Sequence, residues 1–113
     1  MKLDQTGLQL GNYMSYLSQR QGVIASNIAN ADTPGYQTRD VQMPSDFSSA
    51  LQEARSTVVE TPDLPSRNDG NNVSIDREAR LLSENTMKFN LATQMVRGEL
   101  KDVRSAIEEG RNP

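Results

Sequence analysis

Cysteine, histidine and tryptophan are absent from this chain of 113 residues. Without cysteine there is no disulfide and no thiolate nucleophile. Without histidine there is no imidazole for proton transfer, and the two absences together remove zinc fingers and most transition-metal sites. Carboxylate, serine and lysine chemistry remain, but no nucleophile with a base and an orienting group emerges from them. The aromatic residues amount to two Phe and three Tyr. Aromatic side chains normally supply much of a buried core, so a large self-sufficient core is not expected. No apolar run approaches the ~18 residues of a membrane-spanning helix, and no basic segment followed by an apolar one marks a secretory signal. A net charge of −3 argues against general nucleic-acid binding. The expectation is a non-enzymatic chain with no cofactor, no metal, no nucleic acid and no direct lipid contact.

Proline divides what is present. Pro34, Pro44, Pro62 and Pro65 fall in the middle and Pro113 ends the chain. Because a proline inside a helix costs about 3 kcal/mol, the proline-free stretches are the permissive ones for helix. The division adopted is a helical segment over 1–33, an irregular linker over 34–73 and a second helical segment over 74–113.

The second helical segment carries the stronger pattern. Steps of four and three from Ile75 reach Ala79, Leu82, Thr86, Phe89, Thr93, Val96, Leu100, Val103 and Ile107; eight of these ten are apolar and the other two are Thr. Such a heptad seam predicts one long coiled-coil helix of roughly 50 Å. Ser74 is its expected N-cap, and Gly110 its expected stop. In the first segment Leu10, Met14, Leu17, Gln21, Ile24, Ile28 and Ala31 follow the same steps. A helix over about 8–31 is expected, its start weakened by Gly7 and Gly11. The two seams need partners, and each is the other's nearest one. The fold class is therefore all-α: long N- and C-terminal helices paired as a coiled coil, around an irregular, partly extended or disordered middle. Short extended pieces are expected near 38–43 and 56–60, where β-prone Thr and Val cluster.

Two features lie outside the seams. Met87, Leu91 and Met95, ending near Gly98, form an apolar stripe on the far side of the second helix. It is expected to pack on neighbouring subunits; the alternative is a third layer from the middle of the same chain. The other feature is the junction ASNIANADTPGY, Ala25 to Tyr36. Thr33-Pro34-Gly35-Tyr36 has type II turn chemistry, with proline at the second position and glycine at the third. Asn27 and Asn30 share one side of the last helical turns, where their amides can bond freed carbonyls or the departing loop, and Asp32 can cap the turn. Physics alone also accommodates an ordinary helix stop here.

The junction resembles the signature of the flagellar rod, hook and hook-associated axial proteins, which carry a near-identical Asn-Ile-Ala-Asn stretch after their first helix. The segment DGNNVSIDREARLLSENTMKFN, Asp69 to Asn90, is similar to the C-terminal half of a proximal rod member. The resemblance covers about two-thirds of the chain. It implies a structural subunit that stacks helically at the base of the rod, forms the wall of an export channel and transmits torque. The implied partners are copies of itself, the rod proteins FlgC, FlgF and FlgG, the adaptor FliE and the flagellar export gate. The implied location is the periplasmic rod of the basal body, reached through the flagellar type III system. Asn27, Ile28, Ala29, Asn30, Asp32, Thr33, Pro34, Gly35 and Tyr36 match the signature, which in the family shapes the exit from the first helix and contacts neighbours. The competing readings are another proximal rod protein of the FlgC type, and a cytosolic coiled-coil adaptor or chaperone. The adaptor reading explains the seams but not the Thr-Pro-Gly turn.

Overall fold

A computed structural model describes residues 2–42 and 56–111, with side chains from residue 5 onward. The elements are helix α1 (Lys2–Ala29), strands β1 (Arg39–Gln42) and β2 (Thr57–Glu60), and helix α2 (Ile75–Arg111). Met43, Phe47 and Leu51, three of the linker's apolar residues, lie outside the described residues. Helix α1 starts earlier than its glycines suggest. Gly7 and Gly11 sit inside it because a helical glycine costs at most about 1 kcal/mol, less than the packing of the seam returns. Helix α2 is capped at Ser74, whose Oγ accepts from the Arg77 N–H at 3.3 Å. Asp76 and Glu78 occupy the positive end of its dipole. It does not stop at Gly110 but runs through it to Arg111.

The two helices pack antiparallel, since Asn27 of α1 bonds Glu78 of α2 while Leu17 bonds Asn85. On α1 the burial follows the seam: Leu10, Leu17, Ile24 and Ala31 are buried at seven-residue intervals, and Met14 and Ile28 are half-buried. On α2 only half of the expected seam faces α1. Leu82, Phe89, Thr93, Val96 and Val103 are half-buried, but Ile75, Ala79, Thr86, Leu100 and Ile107 lie exposed, Leu100 at 64%. On the other flank of the half-buried row, Glu78, Asn85 and Ala92 are buried and Glu99 is half-buried. The helix is therefore rolled by about 50°, half the angular step between adjacent residues. The cause is polar. Asn85 donates through Nδ2 to the Leu17 carbonyl at 2.8 Å and to Gln21 Oε1 at 3.1 Å. Gln21 is the one polar step in the α1 seam. A second cause acts at the far end. Counting back from Leu17 to Lys2 and forward equally from Asn85 reaches Leu100, so Ile107, about two turns further on, extends past α1.

The middle of the chain contributes a two-stranded antiparallel ribbon, with Asp40 opposite Val59 and Val41 opposite Val58. It packs on α1, where Arg20 grips the Asp40 carboxylate with two hydrogen bonds at 3.0 and 3.2 Å. Burial opposes the Arg20 charge, and the Asp40 hydrogen bond and charge more than offset it, holding that guanidinium above its ordinary pKa. Ser56 donates to Gln19 just ahead of β2. Val41 is buried, whereas every residue of β2 is exposed. The molecule measures 72 × 23 × 15 Å, so its thin dimension is little more than one helix diameter.

Leu17→Ala removes a side chain only 1% exposed, whereas Leu8→Ala trims one that is 66% exposed. The first is expected to cost about 2–5 kcal/mol and the second under about 0.5 kcal/mol. Urea unfolding followed by circular dichroism, in an osmolyte that strengthens burial, measures both.

Candidate functional site

The junction between α1 and the ribbon is organised around one amide. Asn27, at the last turn of α1, is fully buried. Its Nδ2 donates to the Arg39 carbonyl at 2.7 Å and to Glu78 Oε2 at 3.0 Å. Its Oδ1 accepts from the Arg39 N–H at 3.1 Å and from the Tyr36 hydroxyl at 3.1 Å. A carboxamide offers two donors and two acceptor sites, and all four are used here. One side chain thus joins the end of α1, the exit loop, β1 and the first turn of α2. Glu78 completes the arrangement: its carboxylate is buried, and Oε1 accepts from Arg77 Nη1 at 2.8 Å. A buried carboxylate is tolerated only when paired and hydrogen-bonded, and this one is both.

Beyond Asn27, two glycine turns meet. The Tyr36 N–H donates to the Thr33 carbonyl at 3.2 Å, and Gly35 has φ +75°, as the third position of a type II turn requires. Gly70 has φ +85°, and a Cβ placed on it would lie 3.4 Å from the Gly35 Cα. The Gly35 N–H bonds the Asp69 carbonyl at 2.9 Å across this contact. Asn71 and Asn72 then clamp the segment ahead of α2 onto the exit of α1. Asn71 Nδ2 donates to the carbonyls of Asn30 and Thr33 at 2.9 and 2.8 Å, and its Oδ1 accepts from the Val73 N–H. Asn72 Oδ1 accepts from the Thr38 N–H at 2.6 Å, and its Nδ2 donates to Gln37 Oε1. Arg67 donates to the carbonyls of Ala31 and Val73. Orphaned backbone groups at the end of one helix and the start of the other are thereby satisfied across the chain.

The structure places the signature residues unequally around this centre. Asn30 bonds the Ser26 carbonyl within its own helix end and accepts from the Thr33 hydroxyl. Ile28 is half-buried, and Pro34 is exposed. Asp32 is exposed, and the turn is held instead by Asn30 and Asn71. From the sequence, Asp69-Gly70-Asn71-Asn72 reads only as a turn and Glu78 only as a dipole charge, and Gln37, Arg67 and Asn85 carry no signal of a junction or packing role. A local signal cannot report a partner 51 residues away, the separation between Asn27 and Glu78.

The other feature, on α2, is open. Met87, Leu91 and Met95 are 71%, 59% and 53% exposed. Nothing lies within 4 Å of the position a Cβ would take on Gly98. The ribbon packs on α1 and leaves this stripe uncovered. No helix among the described residues is long and apolar enough to cross a membrane.

Comparison with known proteins bears on the junction and on the chain as a whole. Residues 13–37 match the family model described as flagella basal body rod protein. Among curated proteins, the chain is 32% identical over 119 residues to the flagellar basal body rod protein FlgB of Escherichia coli K12, covering 82% of this chain and 86% of that protein. It is 31% identical to its namesake in Yersinia enterocolitica, with the same coverage. To that of Borrelia hermsii it is 32% identical over 122 residues, covering 85% and 90%.

Asn27→Asp replaces a donor with a second carboxylate oxygen against Glu78. It is expected to cost about 3 kcal/mol, and Glu78→Gln in the same chain is expected to restore most of the loss. Gly70→Ala combines a positive φ with the close approach to Gly35, and about 1–2 kcal/mol of destabilisation is expected. Urea titration of the four chains checks both statements.

Proposed function

The chain belongs to the FlgB family of flagellar basal body rod proteins, structural subunits of the rod, and from that membership we propose how it assembles. The stripe of Met87, Leu91 and Met95 is the surface on which copies and neighbouring rod subunits meet, with Gly98 allowing close backbone approach. The observation that carries this reading is the exposure of three large apolar side chains on a thin body, with nothing among the described residues covering them. The junction residues Asn27 to Tyr36 hold the exit of α1 in one shape, so that each copy presents the same outline. Copies then stack head to tail, because a heterologous contact that does not close on itself generates an open helical array. The neighbours are FlgC, FlgF and FlgG, with FliE and the export gate at the base. The subunit reaches the periplasmic rod through the flagellar type III system as an unfolded chain, and there it lines the export channel and carries torque rather than catalysing a reaction.

A chain with so little enclosed core gains much of its order from neighbours already in place, by mass action. The isolated chain is therefore expected to be weakly helical and protease-sensitive at micromolar concentration. Ordering is expected as the concentration rises or on preformed rod ends. Met87→Glu with Leu91→Glu is expected to abolish assembly, read by sedimentation and by loss of swimming in a strain carrying only this variant, while leaving the circular dichroism of the free chain unchanged. Normal assembly by the double variant overturns the reading.

A further inference from the structure

Helix α2 carries two edges that compete for α1. Both contain Leu82, Phe89, Val96 and Val103. On one side of that row lie Glu78, Asn85, Ala92 and Glu99; on the other lie Ala79, Thr86, Thr93 and Leu100. The second set is the more apolar, and area burial alone selects it. The structure buries the first set, although it brings two carboxylates and an amide into the seam. Both Glu99 carboxylate oxygens are shut off from solvent without a hydrogen-bond partner among the described residues. Room for the other rotation exists, since an open cleft of about 250 Å³, lined by Ser18, Gln21, Thr86 and Phe89, runs along that flank.

We infer that Asn85, with Glu78, is the pin that sets the rotation of α2, turning its polar edge to α1 and its apolar edge outward. The Asn85 donor and the Glu78 acceptor meet their partners only in the observed rotation, which still leaves Asn85 Oδ1 buried without a partner among the described residues. Asn85 Nδ2 meets the Leu17 carbonyl and Gln21 Oε1, and Glu78 meets Asn27. Rolling α2 by the half step buries Thr86 and turns the half-buried Thr93 further in, and it leaves the Asn27 amide with a lost acceptor. Rolling also withdraws Ala79, Thr86 and Leu100 from the surface. The pins thus keep apolar area on the outside of a molecule whose own interior is short of it. This role is one of positioning and specificity, distinct from stability: a buried polar contact contributes little net energy but penalises every arrangement that leaves it unpaired.

The chain has no cysteine, so single thiols report the rotation. Thr86→Cys sits on the exposed edge and Ala92→Cys on the buried one. In the full chain, held in an osmolyte that strengthens burial, the thiol at 86 is expected to react with a maleimide much faster than that at 92. Asn85→Asp keeps the shape but sets a carboxylate oxygen against two acceptors. It is expected to slow labelling at 86 and quicken it at 92, each by about fivefold. Adding Gln21→Lys, which gives that carboxylate a donor, restores the parental order. Simple destabilisation quickens both sites together. Equal quickening, unchanged rates, a parent in which the two sites react alike, or failure of Gln21→Lys to restore the order each overturns the inference.

Discussion

The structure depends on keeping a single buried amide fully bonded. Asn27 is sealed from solvent, and each of its four hydrogen-bonding positions is filled by a group from a different stretch of chain or from the adjoining strand. An unpaired amide in that position carries a desolvation penalty of about 1–3 kcal/mol per group, whereas the bonds themselves contribute only about 0.5–1.5 kcal/mol each. The asymmetry makes Asn27 a test of geometry. Tyr36, Arg39 and Glu78 must all arrive together, or none of the arrangement is favourable. The direction of the exit loop, the position of β1 and the axial position of α2 are fixed by the same condition.

From that point the rest follows as a zip. With Glu78 set opposite Asn27, antiparallel packing brings Asn85 to Leu17 and Gln21, and the alternation of Leu10, Leu17 and Ile24 supplies the apolar contacts between. The order of the helix pair decays with distance from the junction. Near it, the Glu78 carboxylate and the Asn27, Asn71 and Asn72 amides are paired; farther out, Asn85 Oδ1 and both Glu99 carboxylate oxygens are enclosed without a partner among the described residues, and beyond Leu100 the second helix continues past the first. Most of the large apolar side chains left in water lie on α2: Ile75, Met87, Leu91, Met95, Leu100 and Ile107, against Leu8 on α1 and Val58 and Val59 on β2.

Much of the fold was legible because helix pairing is a periodic property. The four-and-three spacing of Leu10, Leu17 and Ile24 identified the inner face of α1, and the concentration of proline between the helices located the break. The rotation of α2 was not legible. A hydrophobic count prefers Ala79, Thr86 and Leu100 to Glu78, Asn85 and Glu99, and nothing local announces that the Leu17 carbonyl and Gln21 await an amide. The junction divided in the same way. Pro34 and Gly35 declare a turn through their own backbone preferences, and Asn27 and Asn30 declare themselves by their place at a helix end. Asn71, Asn72 and Arg67 act across more than thirty residues of chain, and their types alone are those of any surface loop.

The same division explains why a rod subunit has this shape. A protein that must join many copies side by side cannot spend its apolar residues on its own interior. Here the specific information is concentrated in a polar junction, where a few directional bonds determine shape with little buried area, and the apolar residues of α2 remain outside. Hydrogen bonds are directional and hydrophobic contacts are not. A subunit shaped by the first and assembled by the second keeps the same outline in every copy while the driving force for association stays available at the surface. Exchanging the two, with an apolar junction and a polar outer helix, would give a more stable monomer and a weaker array.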